Sequence, residues 1–128
     1  MNSKQTFSKR ERISSQKEID LLFSEGSSFI AYPLRIIYVE RQALSEVSAS
    51  VLVSVSKRRF KQAVKRNHLK RLIREAYRLN KDNFLQFLGN RGKNILVAFI
   101  FVGTEVCLYS DMESSMKKSL KILQDRLS

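Results

Sequence analysis

Apolar positions change their spacing several times along the chain, and each change marks an element. After a polar, basic opening over residues 1–13, Ile19, Leu22 and Phe23 fall on one helical face. Ser15 and Glu18 have the spacing of a capping box, in which the two side chains take up orphan amides of the first turn. Gly26 is placed to end that helix in a left-handed turn. Pro33 opens a strand over 33–40, and 41–46 is a connecting turn. Over 47–56, Val47, Ala49, Val51, Val53 and Val55 alternate with mostly serine, which predicts a half-buried strand with one apolar face. The pattern is helical from Lys57 into the eighties, and GNRG over 89–92 is a turn. Residues 95–102 are continuously apolar, as in a central strand covered on both faces. A second capping box, Ser110 with Glu113, starts a last helix whose Met116, Leu120, Leu123 and Leu127 form one stripe. The predicted order is α-β-β-α-β-α, an α+β two-layer sandwich of sheet and helices. It makes a single domain over 1–128, with 1–13 as a basic N-terminal arm, mobile until something binds it.

Composition changes the picture through charge. Lys plus Arg number 24 against 12 Asp plus Glu, a formal net charge of +12. Such an excess repels itself in the folded state, so a polyanion is the expected partner. A membrane surface is disfavoured, because no exposed apolar face stands beside the basic one. The longest apolar run is too short to span a bilayer, and the N-terminus lacks the apolar core of a secretory signal. Cys107 is the only cysteine, so neither an intramolecular disulfide nor a thiolate metal cluster is expected, and a reducing cytoplasm fits.

The charge concentrates in VSKRRFKQAVKRNHLKRLIREAYR, where Glu75 is the one acid. At 100° per residue Leu69, Leu72, Ile73 and Ala76 share one side, and Asn67, Lys70, Arg71, Arg74 and Arg78 gather on the other. Most charged helix faces are simply solvated, but those mix signs at i,i+4. Here Arg66 stands at that spacing from Lys70, and Lys70 from Arg74, which costs helix stability unless a ligand neutralises the charge. Arginine's planar fork suits two phosphate oxygens at once. Catalytic candidates are few. His68 is the only histidine and sits among arginines, Cys107 lies at the end of an apolar strand, and Asp111 and Glu113 belong to a helix start. No metal-ligand spacing or Gly-rich phosphate loop is present, so neither a catalytic nor a metal site is expected. An RNA-binding protein of the ribosome or its assembly remains open on composition, whereas a DNA regulator lacks its helix-turn-helix pattern.

KRNHLKRLIREAYR, preceded by SVSKRRFKQAV, closely resembles the RNR signature of the bacterial ribonuclease P protein family. The match runs in register through Val55, Ser56, Lys57, Arg58, Ala63, Val64, Arg66, Asn67, Lys70, Arg71 and Arg74. The basic arm, a helix closing in Phe23-Ser-Glu-Gly26, and a final strand and helix extend it over nearly the whole chain. His68 stands where the signature has its second arginine, and Arg-Phe-Lys-Gln replaces a turn that commonly holds glycine.

The resemblance implies a mixed sheet with helices on one face and a left-handed βαβ crossover. It implies the non-catalytic protein subunit of an endonuclease that removes the 5′ leader from precursor tRNA. The catalytic RNA would perform the hydrolysis with its own Mg2+, and the protein would bind no cofactor itself. Lys57, Arg58, Lys65, Arg66, Asn67, His68, Lys70, Arg71, Arg74 and Arg78 would meet that RNA, one protein per RNA. A cleft between the first helix and the sheet would hold the single-stranded leader on Phe23, Ile36 and Tyr38.

Overall fold

The computed structural model describes residues 7–41 and 48–128. Its elements are α1 (Gln16–Glu25), β1 (Ser27–Ala31), β2 (Leu34–Glu40), β3 (Ala49–Val55), α2 (Ala63–Asn80), α3 (Asp82–Asn90), β4 (Ile95–Phe101) and α4 (Tyr109–Leu127). The sheet order is β1-β2-β4-β3, antiparallel except where β3 and β4 run parallel. Adjacent parallel strands need a crossover, and α2 with α3 supplies it.

β4 is apolar throughout because both of its faces are covered. Ile95, Val97, Phe99 and Phe101 point into a large core shared with α2, α3 and α4, while Leu96 and Ala98 join Leu22 of α1 in a smaller one. The sheet is mixed and the class α+β, as the sequence predicts. The helices are divided, however, three on one face and α1 on the other, where the resemblance implied a single face. In β3 the residues Ala49, Val51, Val53 and Val55 do face the large core; Val47 lies outside the described residues, as does nearly all of the predicted turn over 41–46.

Several local expectations are corrected. The order is α-β-β-β-α-α-β-α: β1 was not predicted, since two of its five residues are serine and it is half a hairpin completed by β2. Pro33 sits in the turn before β2, not in the strand. The long helix begins at Ala63, not Lys57, because the Ser56 hydroxyl accepts the amides of Arg58 and Arg59 and turns the chain there. It breaks at Lys81, so α3 is a separate helix that absorbs Gly89, and among the described residues only Gly92 takes a positive φ, of 62°. Ser15 accepts the Glu18 amide as expected, but the Glu18 carboxylate pairs with Arg41 at 3.4 Å. Gly26 is extended (φ −73°); glycine is needed because a Cβ there would collide with the Leu22 carbonyl and the Ile37 side chain. α4 starts one residue before Ser110, and Glu113 accepts hydrogen bonds from Asn80 and Tyr109 instead of capping.

The N-terminal segment gives the largest correction. Residues 7–13 are docked as a strap. Ile13 is buried and its amide donates to the Val51 carbonyl at 2.9 Å, so the segment covers the outer edge of β3. Phe7 meets Tyr77 edge-on, and the Glu11 carboxylate receives the Lys81 ammonium at 2.6 Å, with Lys81 3% exposed. Sequence alternation gave no hint of this, because the pair spans 70 residues. Removing one partner of a buried ion pair strands the other charge. Lys81→Ala is therefore expected to cost about 3–5 kcal/mol in urea unfolding, and adding Glu11→Ala to recover part of it. An unchanged midpoint for Lys81→Ala would show the strap undocked in solution.

Candidate nucleic-acid interface

α2 is fixed by one face. Leu69, Ile73, Ala76 and Tyr77 are fully buried between the sheet and the other helices, and burial pushes the Tyr77 phenol well above its usual range, helped by the nearby Glu11 carboxylate. The opposite face is turned outward. Asn67 and Arg71 are exposed, and Lys70, Arg74 and Arg78 are half-buried along its flanks, so the predicted stripe is present.

Its members are not equivalent. Arg78 is ion-paired with Glu75 at 2.6 Å; that hydrogen bond holds the guanidinium above, and the carboxylate below, its ordinary range. Arg74 is held below the usual arginine range, first by partial burial and then by the Arg12 guanidinium. Arg12 itself lies 5.0 Å over the Phe7 ring. The strap therefore brings Arg12 to the edge of the stripe, a neighbour that sequence periodicity does not predict.

At the start of α2 the basic loop is shaped by its own arginines. Arg66 donates from Nη1 to the carbonyls of Phe60 (2.8 Å) and Lys61 (2.9 Å), so it braces the loop as well as adding charge. Arg59, which was not among the predicted contacts, donates to the Val102 carbonyl at 2.6 Å. Phe60 is buried against Phe101 and anchors the segment, leaving Lys57, Arg58, Lys61 and Lys65 exposed. His68 is half-buried and has no hydrogen-bond or ion-pair partner among the described residues. Among those residues no cluster of His, Cys, Asp or Glu is arranged to hold a metal ion, and no helix is long and apolar enough to cross a membrane.

Phe23, Ile36 and Tyr38 do not come together in one cleft, although a cavity of about 670 Å³ joins Tyr38 to Leu21 and Glu25 of α1. Alternation along β2 sends Leu34, Ile36 and Tyr38 to the face under α4, and Arg35, Ile37 and Val39 to the face carrying α1. Ile36 is fully buried, and Tyr38 stacks edge-on with Phe29 (6.2 Å) and lies 3.5 Å from Arg126. Phe23 alone belongs to the α1 side, 51% exposed. That side also carries a row in register across all four strands, Ile30, Arg35, Ile100 and Ser54, of which Ile30 and Arg35 are exposed while Ile100 is half-buried against the α1 core. Ile30 is 63% exposed. Ile36 and Tyr38 therefore lie on the opposite sheet face from Phe23.

A mixed four-stranded sheet presenting an arginine-rich helix, with cations outnumbering acids along it, defines a protein built to bind a polyanion. A ribonuclease P family model matches residues 7–124. The ribonuclease P protein component of Porphyromonas gingivalis is 44% identical over 122 residues, covering 94% of this chain and 89% of its own. That of Clostridium acetobutylicum is 32% identical, covering 85% of each. The fold resembles the RNase P protein of Staphylococcus aureus (TM-score 0.69, 23% identity, 90% of this chain and 96% of that one). It also resembles that of Thermotoga maritima (TM-score 0.58, 21% identity, 91% and 97%). The chain belongs to the ribonuclease P protein family.

The different surroundings of Arg66 and Arg71 predict different consequences. Arg66→Ala loses two hydrogen bonds from a charged group and is expected to cost about 1.5–3 kcal/mol of stability along with RNA affinity. Arg71→Ala, on the open face, should leave stability within about 0.5 kcal/mol and weaken RNA binding alone. Chemical unfolding beside RNA titration checks both; equal stability losses would place Arg71 in the fold's own bonding.

Proposed function

We propose that this chain acts as the protein subunit of ribonuclease P by gripping its partner RNA through phosphates. The observation carrying this is the outward face of α2, continued into the loop before it. Lys57, Arg58, Lys65, Lys70, Arg71 and Arg74 lie there exposed or half-buried, and the one acid, Glu75, is already engaged with Arg78. Asn67 and His68 sit among them as contacts for a base edge or ribose hydroxyl. Hydrolysis is assigned to the RNA and its Mg2+, and the protein lowers the cation concentration at which that RNA holds its active form. One protein serves one RNA in the cytoplasm. A ribosome-assembly role is not favoured, because relatives matching most of the chain are ribonuclease P protein components.

Precursor tRNA is the proposed substrate, and its 5′ leader is assigned to the α1 side of the sheet. The exposed Phe23, Ile30 and Arg35 combine apolar surface with one cation, as unpaired bases beside a phosphate require.

Two measurements test the proposal. With about six phosphates neutralised, log K for the partner RNA should fall against log salt with a slope of about −4 to −5. A slope near zero would sink the phosphate grip. In a cleavage assay the protein alone should leave precursor tRNA intact. With the RNA added, Arg35→Ala should weaken precursor binding by about 1.5–3 kcal/mol and spare mature tRNA, which has no leader. Equal losses for both substrates would remove the leader from this face.

A further inference from the structure

Beyond α2, the loop following β4 separates two concavities that share Thr104, Glu105 and Val106 as their common wall. On one side, about 460 Å³ opens against Arg59, Lys61 and Lys65. On the other, a cleft of about 500 Å³ runs between the β1–β2 turn and α4. Gly103 lets the loop pass tightly between them, since a Cβ there would meet the Phe101 ring at 2.7 Å. Ser115 of α4 donates to the Ala31 carbonyl, which fastens α4 to the turn and holds the cleft's shape.

Chemistry sorts the two sides. The first is cationic on balance, with Lys61 and Lys65 exposed and Arg59 tied to the loop backbone against the single carboxylate of Glu105 in the shared wall. The second is half apolar. Tyr32 stands at its mouth, 68% exposed with no structural partner to account for it, and Pro33 and Cys107 line it. Its polar groups are mainly acceptors, the carboxylates of Asp111 and Glu105 and the Ser114 hydroxyl, with Lys118 as a donor. Carboxylates reject a phosphate but accept from the exocyclic amino groups of adenine, cytosine or guanine. An exposed tyrosine offers such a base a stacking surface.

We propose that an unpaired RNA nucleotide straddles this loop, its phosphate against Lys61 and Lys65 and its base in the cleft beside Tyr32, Asp111 and Lys118. The inference rests on the RNA-binding role above and adds a contact on the α4 side of the sheet, beside the β1–β2 turn. It makes the loop before α2 a junction, where the backbone leaves the arginine stripe and one base turns inward.

The chain's single cysteine reports on this cleft, because Cys107 lines it and no other thiol competes. Burial, and then Asp111, push the thiol above its ordinary range, so alkylation is followed at mildly alkaline pH. Short oligoadenylate, at about ten times its dissociation constant, should slow alkylation of the full-length protein about tenfold. Oligouridylate, lacking an amino group, should protect less. Tyr32→Ala should weaken protective binding by about five- to a hundredfold, the range for one lost base stack. Tyr32 and Lys118 are exposed, so Tyr32→Ala and Lys118→Ala should both fold, with an unchanged urea midpoint. Protection in the holoenzyme before substrate is added would give the nucleotide to the catalytic RNA, and protection only with precursor tRNA would give it to the substrate; both support the site. Oligonucleotide bound by anisotropy while Cys107 reacts at the free rate in every arm would overturn the cleft and spare the phosphate grip. Absence of any RNA binding would overturn both.

Discussion

α2 has to be held by one side firmly enough to show the other. Four fully buried side chains on its inner face, Leu69, Ile73, Ala76 and Tyr77, lie in the main core. Each large one contributes roughly 1.5–3 kcal/mol on burial. Like charges one turn apart on the outer face oppose the helix by only about 0.2–0.5 kcal/mol per pair. Burial exceeds the repulsion several times over, so the chain can keep a cationic ridge assembled before any polyanion arrives. The parallel β3–β4 pair, the position of α4 and the break at Lys81 all serve this one seating.

The same economy governs the rim of the stripe. Arg66 braces the loop before α2, Arg78 is neutralised by Glu75, and Arg12 crowds Arg74 from the strap. Residues that look alike in the sequence thus divide into structural and RNA-facing members. The division depends on backbone carbonyls and on chain segments far away. A count of arginines therefore overstates the phosphate contacts.

Legibility in the sequence followed the range of the interactions. The inner and outer faces of α2, the central place of β4 and the valine face of β3 depend on spacing within one element, and periodicity recovers them. The family signature lies in the same stretch. What periodicity missed depends on partners elsewhere. β1 exists because β2 zips onto it, and the strap docks because Lys81 waits 70 residues away. Ser110 had the sequence of a cap, yet α4 begins earlier, and Glu113 turns to Asn80 and Tyr109. In β2 a shift of one residue decides which sheet face a side chain reaches, and no local signal chose between Tyr38 and Ile37.

The closure of the strap by Glu11 and Lys81 has a consequence for the order in which the molecule is made. Translation delivers residues 7–13 before any of their docking partners, since their resting place needs the edge of β3, the ring of Tyr77 and the ammonium of Lys81. Joining ends so far apart carries a loop-closure cost that grows with the intervening length, and nothing returns it until α2 has left the ribosome. The strap is therefore fixed only after segments made later than itself. Throughout that interval β3 has an uncovered edge, and the nascent chain carries the strap's arginines loose, beside the RNA of the ribosome that is making it.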